Sequence, residues 1–208
     1  MDPTAPDALD RLETAAQQGM AGLRIGCDNS PGWLGPSVTT FWSRLTELHW
    51  PICLTAKTDQ LHLVAEISRR VPTLSIVVEH LGAGTPTWGI PASSLAALAE
   101  LASSPRVYLK ITTVNLGCLS ADPGDERRFE QLLEMFGASR MMWGSNFPAS
   151  DDVSYASAIR FARDRFPGSL EQQALFLGGT AMSVWPDLQK LVAAPDANFA
   201  SPPLSTSQ

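Results

Sequence analysis

The chain has 208 residues, with 15 Lys and Arg against 21 Asp and Glu, which gives a formal net charge of −6. An acidic chain without a basic cluster is a poor candidate for binding nucleic acid or an anionic membrane surface. Its hydrophobic content of 44% suits a globular core, and no apolar run approaches the ~20 residues that cross a bilayer.

Strand and helix patterns alternate along the chain. Apolar residues at helical spacing predict helices over residues 4–19, 37–48, 59–70, 93–103, 125–136, 152–165, 169–177 and 180–192. Continuous apolar runs predict strands over residues 22–26, 51–56, 74–78, 107–112 and 141–144. Thr4 with Asp7 predicts the cap of the first helix, Gly19 its stop, and Asp59 the cap of the third helix.

Strands that are apolar throughout are typical of parallel sheets covered on both faces, so the fold class is α/β. The chain has neither a Gly-x-Gly-x-x-Gly sequence after a strand nor a Gly-Lys-Ser/Thr phosphate loop. The remaining large parallel architecture is the TIM (β/α)8 barrel, of which five units are predicted here. We expect one barrel domain over residues 1–192 and a disordered tail over residues 193–208.

The N-terminal residues and the cysteines indicate the cellular compartment of the protein. The first residues lack the basic-then-apolar pattern of a secretory signal, and three widely spaced cysteines form no CxxC pair. We therefore expect free thiols and a cytoplasmic protein.

Polar residues follow the predicted strands, where a parallel barrel gathers its functional groups at one rim. They are Arg24, Lys57, Glu79, His80, Lys110, Ser145 and Asn146. His80 is either a functional residue or a hydrogen-bonded structural one; we favour the former because Gly82 and Gly84 leave the rim open. Arg24 and Lys110 have two interpretations each, an ion pair with an acid or a contact with an anionic substrate.

Aromatic residues and the other histidines carry weaker signals. Trp33 and Trp88 fall in loops after strands, where they either pack in the core or line a substrate pocket. His49 and His62 lie in helical stretches, and we expect them to be solvated or to pack without a functional role.

The ordered set of strand-end segments resembles the amidohydrolase-related family of TIM-barrel hydrolases. The segments are Gly22-Leu23-Arg24, Val77-Val78-Glu79-His80-Leu81-Gly82, Val107-Tyr108-Leu109-Lys110 and Arg140-Met141-Met142-Trp143-Gly144-Ser145-Asn146-Phe147-Pro148. The resemblance covers most of residues 5–186, and its branch includes sugar lactonases and pyrone-dicarboxylate lactonase. It implies water attack on a carbonyl, with His80 and Asn146 in the catalytic positions and Arg24 and Lys110 as candidates for binding a small-molecule substrate. Trp33 and Trp88 join the candidates for binding substrate because of their place in the loops after strands.

Asn146 is the first departure from the family, which often has Asp at this position. Its amide cannot take up a proton near pH 7, although it can orient a water or a carbonyl. Asp151 and Asp152 follow five and six residues later, and either is an alternative base.

The absence of a His-x-His or His-x-Trp element is the second departure, because that element supplies metal ligands where the family uses a metal. The chain has only three histidines, none in that spacing. The cofactor therefore stays open: a reaction without any cofactor is one alternative, and a divalent metal would need ligands not present in this chain.

Three functions remain open. The leading one is hydrolysis of a lactone or a similar carbonyl ester. A metal-dependent decarboxylase of the same family is the second, and an inactive or truncated barrel fragment is the third. If the 208 residues form the whole protein, five barrel units leave strand edges and apolar surface exposed, and we then expect a homo-oligomer, a complementing partner chain or poor solubility.

The five predicted strands match the family's fourth to eighth strands, which suggests an N-terminally truncated gene model. We expect the genomic DNA upstream of Met1 to encode three further strands in the same frame. Sequencing that DNA tests the expectation, and a stop codon directly before Met1 would contradict it.

Overall fold

The sheet has five parallel strands in the order in which they occur along the chain. The computed structural model describes residues 1–27, 31–82, 89–90, 92–119, 122–146 and 154–189. The strands are β1 (Leu23–Gly26), β2 (Ile52–Thr55), β3 (Ile76–Glu79), β4 (Val107–Thr112) and β5 (Met141–Gly144), in the order β1-β2-β3-β4-β5. All five predicted strands are thereby confirmed, with bounds shifted by two residues at most.

The helices alternate with the strands as predicted. They are α1 (Ala8–Gln17), α2 (Pro36–Glu47), α3 (Leu61–Arg70), α4 (Ala92–Ala102), α5 (Thr113–Leu119), α6 (Pro123–Phe136), α7 (Tyr155–Arg165), α8 (Leu170–Ala174) and α9 (Thr180–Val184). Helix α5 was not predicted, because its seven residues give too short a periodic pattern. A π-helical turn over Leu175–Gly179 joins α8 to α9.

Two predicted helix caps are wrong. Helix α1 begins at Ala8 after Asp7, whose side chain makes no capping bond, and the Thr4 hydroxyl instead donates to Asp2. The third helix is preceded by a 3₁₀ turn over Thr58–Gln60, and the Gln60 side chain, not that of Asp59, accepts from the backbone N–H of Lys57 at 2.9 Å. At both helix starts the hydrogen bonds are made by other nearby pairs, Thr4 with Asp2 and Lys57 with Gln60. Gly19 does end α1, with φ of +82°.

One face of the sheet packs against the helices and forms the main core. Alternate residues of the strands point to this face, as a period of two requires. Its strand residues include Ile25, Leu54, Ile76, Val78, Leu109 and Ile111, all at most 4% exposed. Helix α3 covers it with the buried side chains of Leu61, Val64 and Ile67, which lie at helical spacing on one side of the helix.

The opposite face carries a small apolar cluster and, above it, the polar residues. Val77 and Met142 pack there against Val184 at the end of α9. Nearer the carboxyl end of β3, Glu79 pairs in register with Lys110, which in turn pairs with Met142 of the apolar cluster. The fold thus places charged residues at the strand ends on the face opposite the main core.

The C-terminal end of the predicted domain lies beyond the described part of the chain. Residues 190–208, which include the predicted tail, lie outside the described residues. None of the helices in the described part is long and apolar enough to cross a membrane.

A matched pair of leucines tests this assignment of the core. Leu45 on α2 is fully buried, whereas Leu170 on α8 is 83% exposed. We expect Leu45→Ala to lower the free energy of unfolding by about 2–5 kcal/mol, because it removes buried methyl groups and leaves a cavity. Leu170→Ala should change it by less than about 0.5 kcal/mol. Urea unfolding at neutral pH measures both, and equal effects would contradict the assignment.

Candidate active site

The buried carboxylate of Glu79 lies at the centre of the polar strand ends. Its side chain is 1% exposed. Oε2 accepts hydrogen bonds from Arg24 Nε at 2.6 Å and from Thr55 Oγ1 at 2.5 Å, and Oε1 accepts from Lys110 Nζ at 2.5 Å. We call these four residues, Arg24, Thr55, Glu79 and Lys110, the Glu79 cluster. Four neighbouring strands, β1 to β4, contribute one residue each.

These partners keep Glu79 ionised despite its burial. Burial alone raises the pKa of a carboxyl, but hydrogen bonds from Lys110, Thr55 and Arg24 and the positive charge of Lys110 outweigh it. The pKa of Glu79 falls from 4.5 to about 2. With two cations and one carboxylate, the cluster carries a net charge of +1 near pH 7.

Lys110 reaches Glu79 by lying along β5. A Cβ atom at Gly144 would be 2.9 Å from Lys110 Cε, a distance that real Cβ contacts do not show. The glycine of the Trp-Gly-Ser-Asn segment therefore leaves room for the lysine stem, which a Cβ here would force to shift, and most of the lysine side chain is buried.

Arg24 extends from the cluster into solvent. Its side chain is 64% exposed, and its described bond to Glu79 uses Nε. The structure therefore shows both Arg24 and Lys110 as ion-pair partners of one acid, and a role in binding substrate stays a prediction for each.

His80 follows Glu79 in an unusual backbone conformation. His80, Leu81 and Gly82 all have positive φ, at +56°, +58° and +69°. Left-handed geometry disfavours residues with a Cβ, so two such residues in succession persist only where the surroundings impose them. The turn carries His80 off the strand direction and leaves it 6% exposed.

Two buried residues of β4 and α5 contact His80. Thr112 Oγ1 lies 3.4 Å from His80 Nδ1, and Asn115 Nδ2 donates to the His80 carbonyl at 3.5 Å. Thr112 and Asn115 are both fully buried. Sequence analysis missed them because they lie where a strand passes directly into an unpredicted helix; the polar Thr-Thr-Val-Asn sequence after an apolar strand was the available signal.

Burial lowers the pKa of His80, and the positive charges of Lys110 and Arg24 lower it further. The charge of Glu79 and a hydrogen bond with Asn115 oppose this, but the net direction is downward. The imidazole is therefore mainly neutral at pH 7, the form that can accept a proton.

Asn146 lies just past β5, at the same end of the sheet. It is half-buried, and its φ of +58° is left-handed. Its neighbour Trp143 donates from Nε1 to Thr113 Oγ1 at 3.3 Å and packs against the ring of Tyr155. None of the described hydrogen bonds joins Asn146 to the Glu79 cluster, so its catalytic role stays a prediction.

The remaining candidate residues are placed differently. Trp33 is 2% exposed and packs against Trp42 at a centroid distance of 5.6 Å, so the structure puts it in the core and not with the Glu79 cluster. Lys57 is exposed after β2. Trp88, Asp151 and Asp152 lie outside the described residues.

A divalent metal fits the described residues poorly. Among them, no group of three His, Cys, Asp or Glu side chains could hold a metal ion. Both oxygens of Glu79 already accept from cationic groups, which would repel a metal. Burial raises the pKa of the Cys53 thiol to about 11, so it stays protonated and is a weak ligand.

The chain belongs to the amidohydrolase family, whose model matches residues 1–186. It is 25% identical over 152 residues to the 4-sulfomuconolactone hydrolase of Hydrogenophaga intermedia, covering 70% of this chain and 50% of that protein. It is 31% identical over 133 residues to the L-fucono-1,5-lactonase of Burkholderia ambifaria, covering 58% of this chain and 45% of that protein. The chain thus spans about half the length of the curated relatives it matches.

Solved structures share the fold. An amidohydrolase from Burkholderia multivorans with bound zinc superposes with a TM-score of 0.69 at 23% identity, over 89% of this chain and 71% of that one. The 5-carboxyvanillate decarboxylase of Sphingomonas paucimobilis gives 0.61 at 15% identity, over 89% and 64%. The predicted fold class is confirmed: five β/α units of a TIM barrel.

Replacing Glu79 by Gln tests whether the carboxylate holds the cluster together. We expect Glu79→Gln to lower the free energy of unfolding at pH 7 by about 3–5 kcal/mol, because it leaves Lys110 partly buried without its counter-charge. Because the folded pKa of Glu79 is depressed, its contribution is complete above pH 4.5 and is lost as the pH falls from 4.5 towards 2. That loss, on the order of 3 kcal/mol, should be absent in Glu79→Gln.

Urea unfolding between pH 2 and pH 7 measures both effects. Glu13→Gln is the matched control, because Glu13 also pairs with an arginine, Arg44, but on the exposed surface, where water screens the pair. The interpretation fails if the two variants have the same stability at pH 7.

Proposed function

We propose that the chain carries the substrate-binding and proton-transfer residues of a lactone hydrolase. The observation that supports this most strongly is the adjacency of a neutral, buried histidine, His80, to the net-positive Glu79 cluster at the strand ends. In a TIM barrel this end of the strands is where active sites form. The lactone hydrolases among its relatives agree with this chemistry.

His80 is the proposed general base. The family that this chain resembles often has an Asp after the last strand. This chain has Asn146 there, and its amide cannot accept a proton near pH 7. Water adds to the lactone carbonyl carbon and gives its proton to the His80 imidazole. The ring C–O bond then breaks, and His80 returns the proton to the leaving alkoxide, which yields a hydroxy acid.

The positive charge of the cluster suits the charge that develops on the carbonyl oxygen during the attack. Buried or half-buried cations stabilise an oxyanion more strongly than solvated ones, because little water screens them. Lys110 is fixed by Glu79 and so is already oriented before substrate arrives. Asn146 is proposed to orient the water or the carbonyl.

Arg24 points to a substrate that carries a carboxylate. Its guanidinium is anchored through Nε while most of the side chain faces solvent, which leaves a planar donor fork at the edge of the site. Such a fork binds a carboxylate with two parallel hydrogen bonds. We therefore propose that anionic lactones are better substrates than neutral ones.

A purified protein assayed against two matched lactones tests the proposal. The probes are γ-butyrolactone and the same ring bearing a carboxylate, followed by the pH drop with and without a chelator. We expect the carboxylate lactone to be hydrolysed, and Arg24→Gln to raise its KM while leaving the KM of the neutral lactone nearly unchanged.

His80→Ala should lower kcat by about a hundredfold or more, because the base is removed. His62→Ala is the control: His62 is exposed on α3, away from the site, and its variant should keep full activity. The proposal is wrong if neither lactone is turned over, or if His80→Ala is as active as His62→Ala.

A further inference from the structure

We propose that Thr112 and Asn115 are positioning residues that fix the tautomer of His80, with the proton on Nδ1 and the lone pair on Nε2. The assignment of the tautomer follows from hydrogen bonding alone. The consequence, that Nε2 is the atom that accepts the proton from water, rests on the proposed function.

The backbone amide of Thr112 determines the orientation of its neighbours, because a backbone N–H is always a hydrogen-bond donor. The N–H of Thr112 can only donate, and the atom 3.0 Å from it belongs to the side-chain amide of Asn115. That atom must therefore be the carbonyl oxygen, Oδ1, because an NH₂ group there would face another donor. The orientation of the Asn115 amide is thereby determined.

The hydroxyl of Thr112 is determined next. Thr112 Oγ1 lies 2.7 Å from the same Oδ1. Since Oδ1 has no hydrogen to give, the hydroxyl must donate its single proton to it. Towards its other neighbours Oγ1 can then act only as an acceptor, and the backbone N–H of Asn115 faces it at 3.4 Å, as this requires.

His80 Nδ1 is such a neighbour of Oγ1, at 3.4 Å. If Nδ1 carried the lone pair, two acceptors would face each other in a buried space. With the proton on Nδ1, the ring donates to Oγ1, and a donor faces an acceptor at this contact.

Burial makes this order of donors and acceptors strict. Thr112 and Asn115 are fully buried and His80 is 6% exposed, so water cannot easily replace a lost partner. An unmatched polar group in such a place costs about 1–3 kcal/mol, enough to select one tautomer strongly. The other end of the Asn115 amide donates to the His80 carbonyl and so supports the left-handed turn that presents the ring.

The chain allows a direct measurement because it has only three histidines, His49, His62 and His80. Two-bond ¹H–¹⁵N NMR spectra of the full chain at pH 8 report which ring nitrogen carries the proton, and His80→Gln identifies the His80 signals. We expect wild-type His80 to be the Nδ1–H tautomer.

Thr112→Val and Thr112→Ser form the matched pair of variants. Valine has the shape of threonine without the hydroxyl, so we expect the Nδ1–H tautomer to give way to a mixture. Serine keeps the hydroxyl and should preserve the wild-type spectrum. Thermal unfolding by circular dichroism establishes that both variants are folded.

An Nε2–H tautomer in the wild type, or an unchanged Nδ1–H tautomer in folded Thr112→Val, overturns the proposal. In the lactone assay, Thr112→Val should lower kcat about tenfold or more with little change in KM, and Thr112→Ser should restore it. The two ideas fail separately: an Nδ1–H signal in a protein that hydrolyses no lactone keeps the tautomer assignment and removes the proposed function.

Discussion

A single buried carboxylate constrains the described strand ends. Glu79 is almost inaccessible to water, and a carboxylate in that position is tolerable only if it is paired and hydrogen-bonded. Arg24, Thr55 and Lys110, on three other strands, supply these hydrogen bonds. The register of the sheet brings the three residues to Glu79, and their bonds to Glu79 in turn tie the strands together. Gly144 leaves room on β5 for the lysine stem, which a Cβ at this position would force to shift.

The same constraint gives His80 its chemical character. The chain leaves β3 through Glu79 and turns at once into a left-handed segment, which buries the imidazole near the cluster's net positive charge. Burial and that charge both favour the neutral ring, while Thr112, whose hydroxyl donates to Asn115, supplies an acceptor on its Nδ1 side. A positive site beside a neutral base suits addition of water to a carbonyl, in which negative charge develops on oxygen while a proton is removed.

Sequence alone predicted the strands and most helices, because fully apolar runs and helical periodicity are local signals. It also listed the strand-end residues, since a parallel sheet brings them to one edge. It could not choose between an ion pair and a substrate contact for Arg24 and Lys110, because that choice depends on distances between strands. Asn115 was missed because it lies on a helix too short to show periodicity. The choice between core and pocket wall for Trp33 stayed open because it lies on a turn whose burial depends on α2.

Ligand titration shows whether the Glu79 cluster and His80 form one binding site. Hydroxyglutarate, the ring-opened product of the carboxylate lactone, is titrated into ¹⁵N-labelled protein while the three histidine rings are followed. We expect a saturable shift of the His80 signals with those of His62 unmoved, and a weaker affinity in Arg24→Gln. Saturable binding that moves the His62 signals and leaves those of His80 unchanged would contradict it.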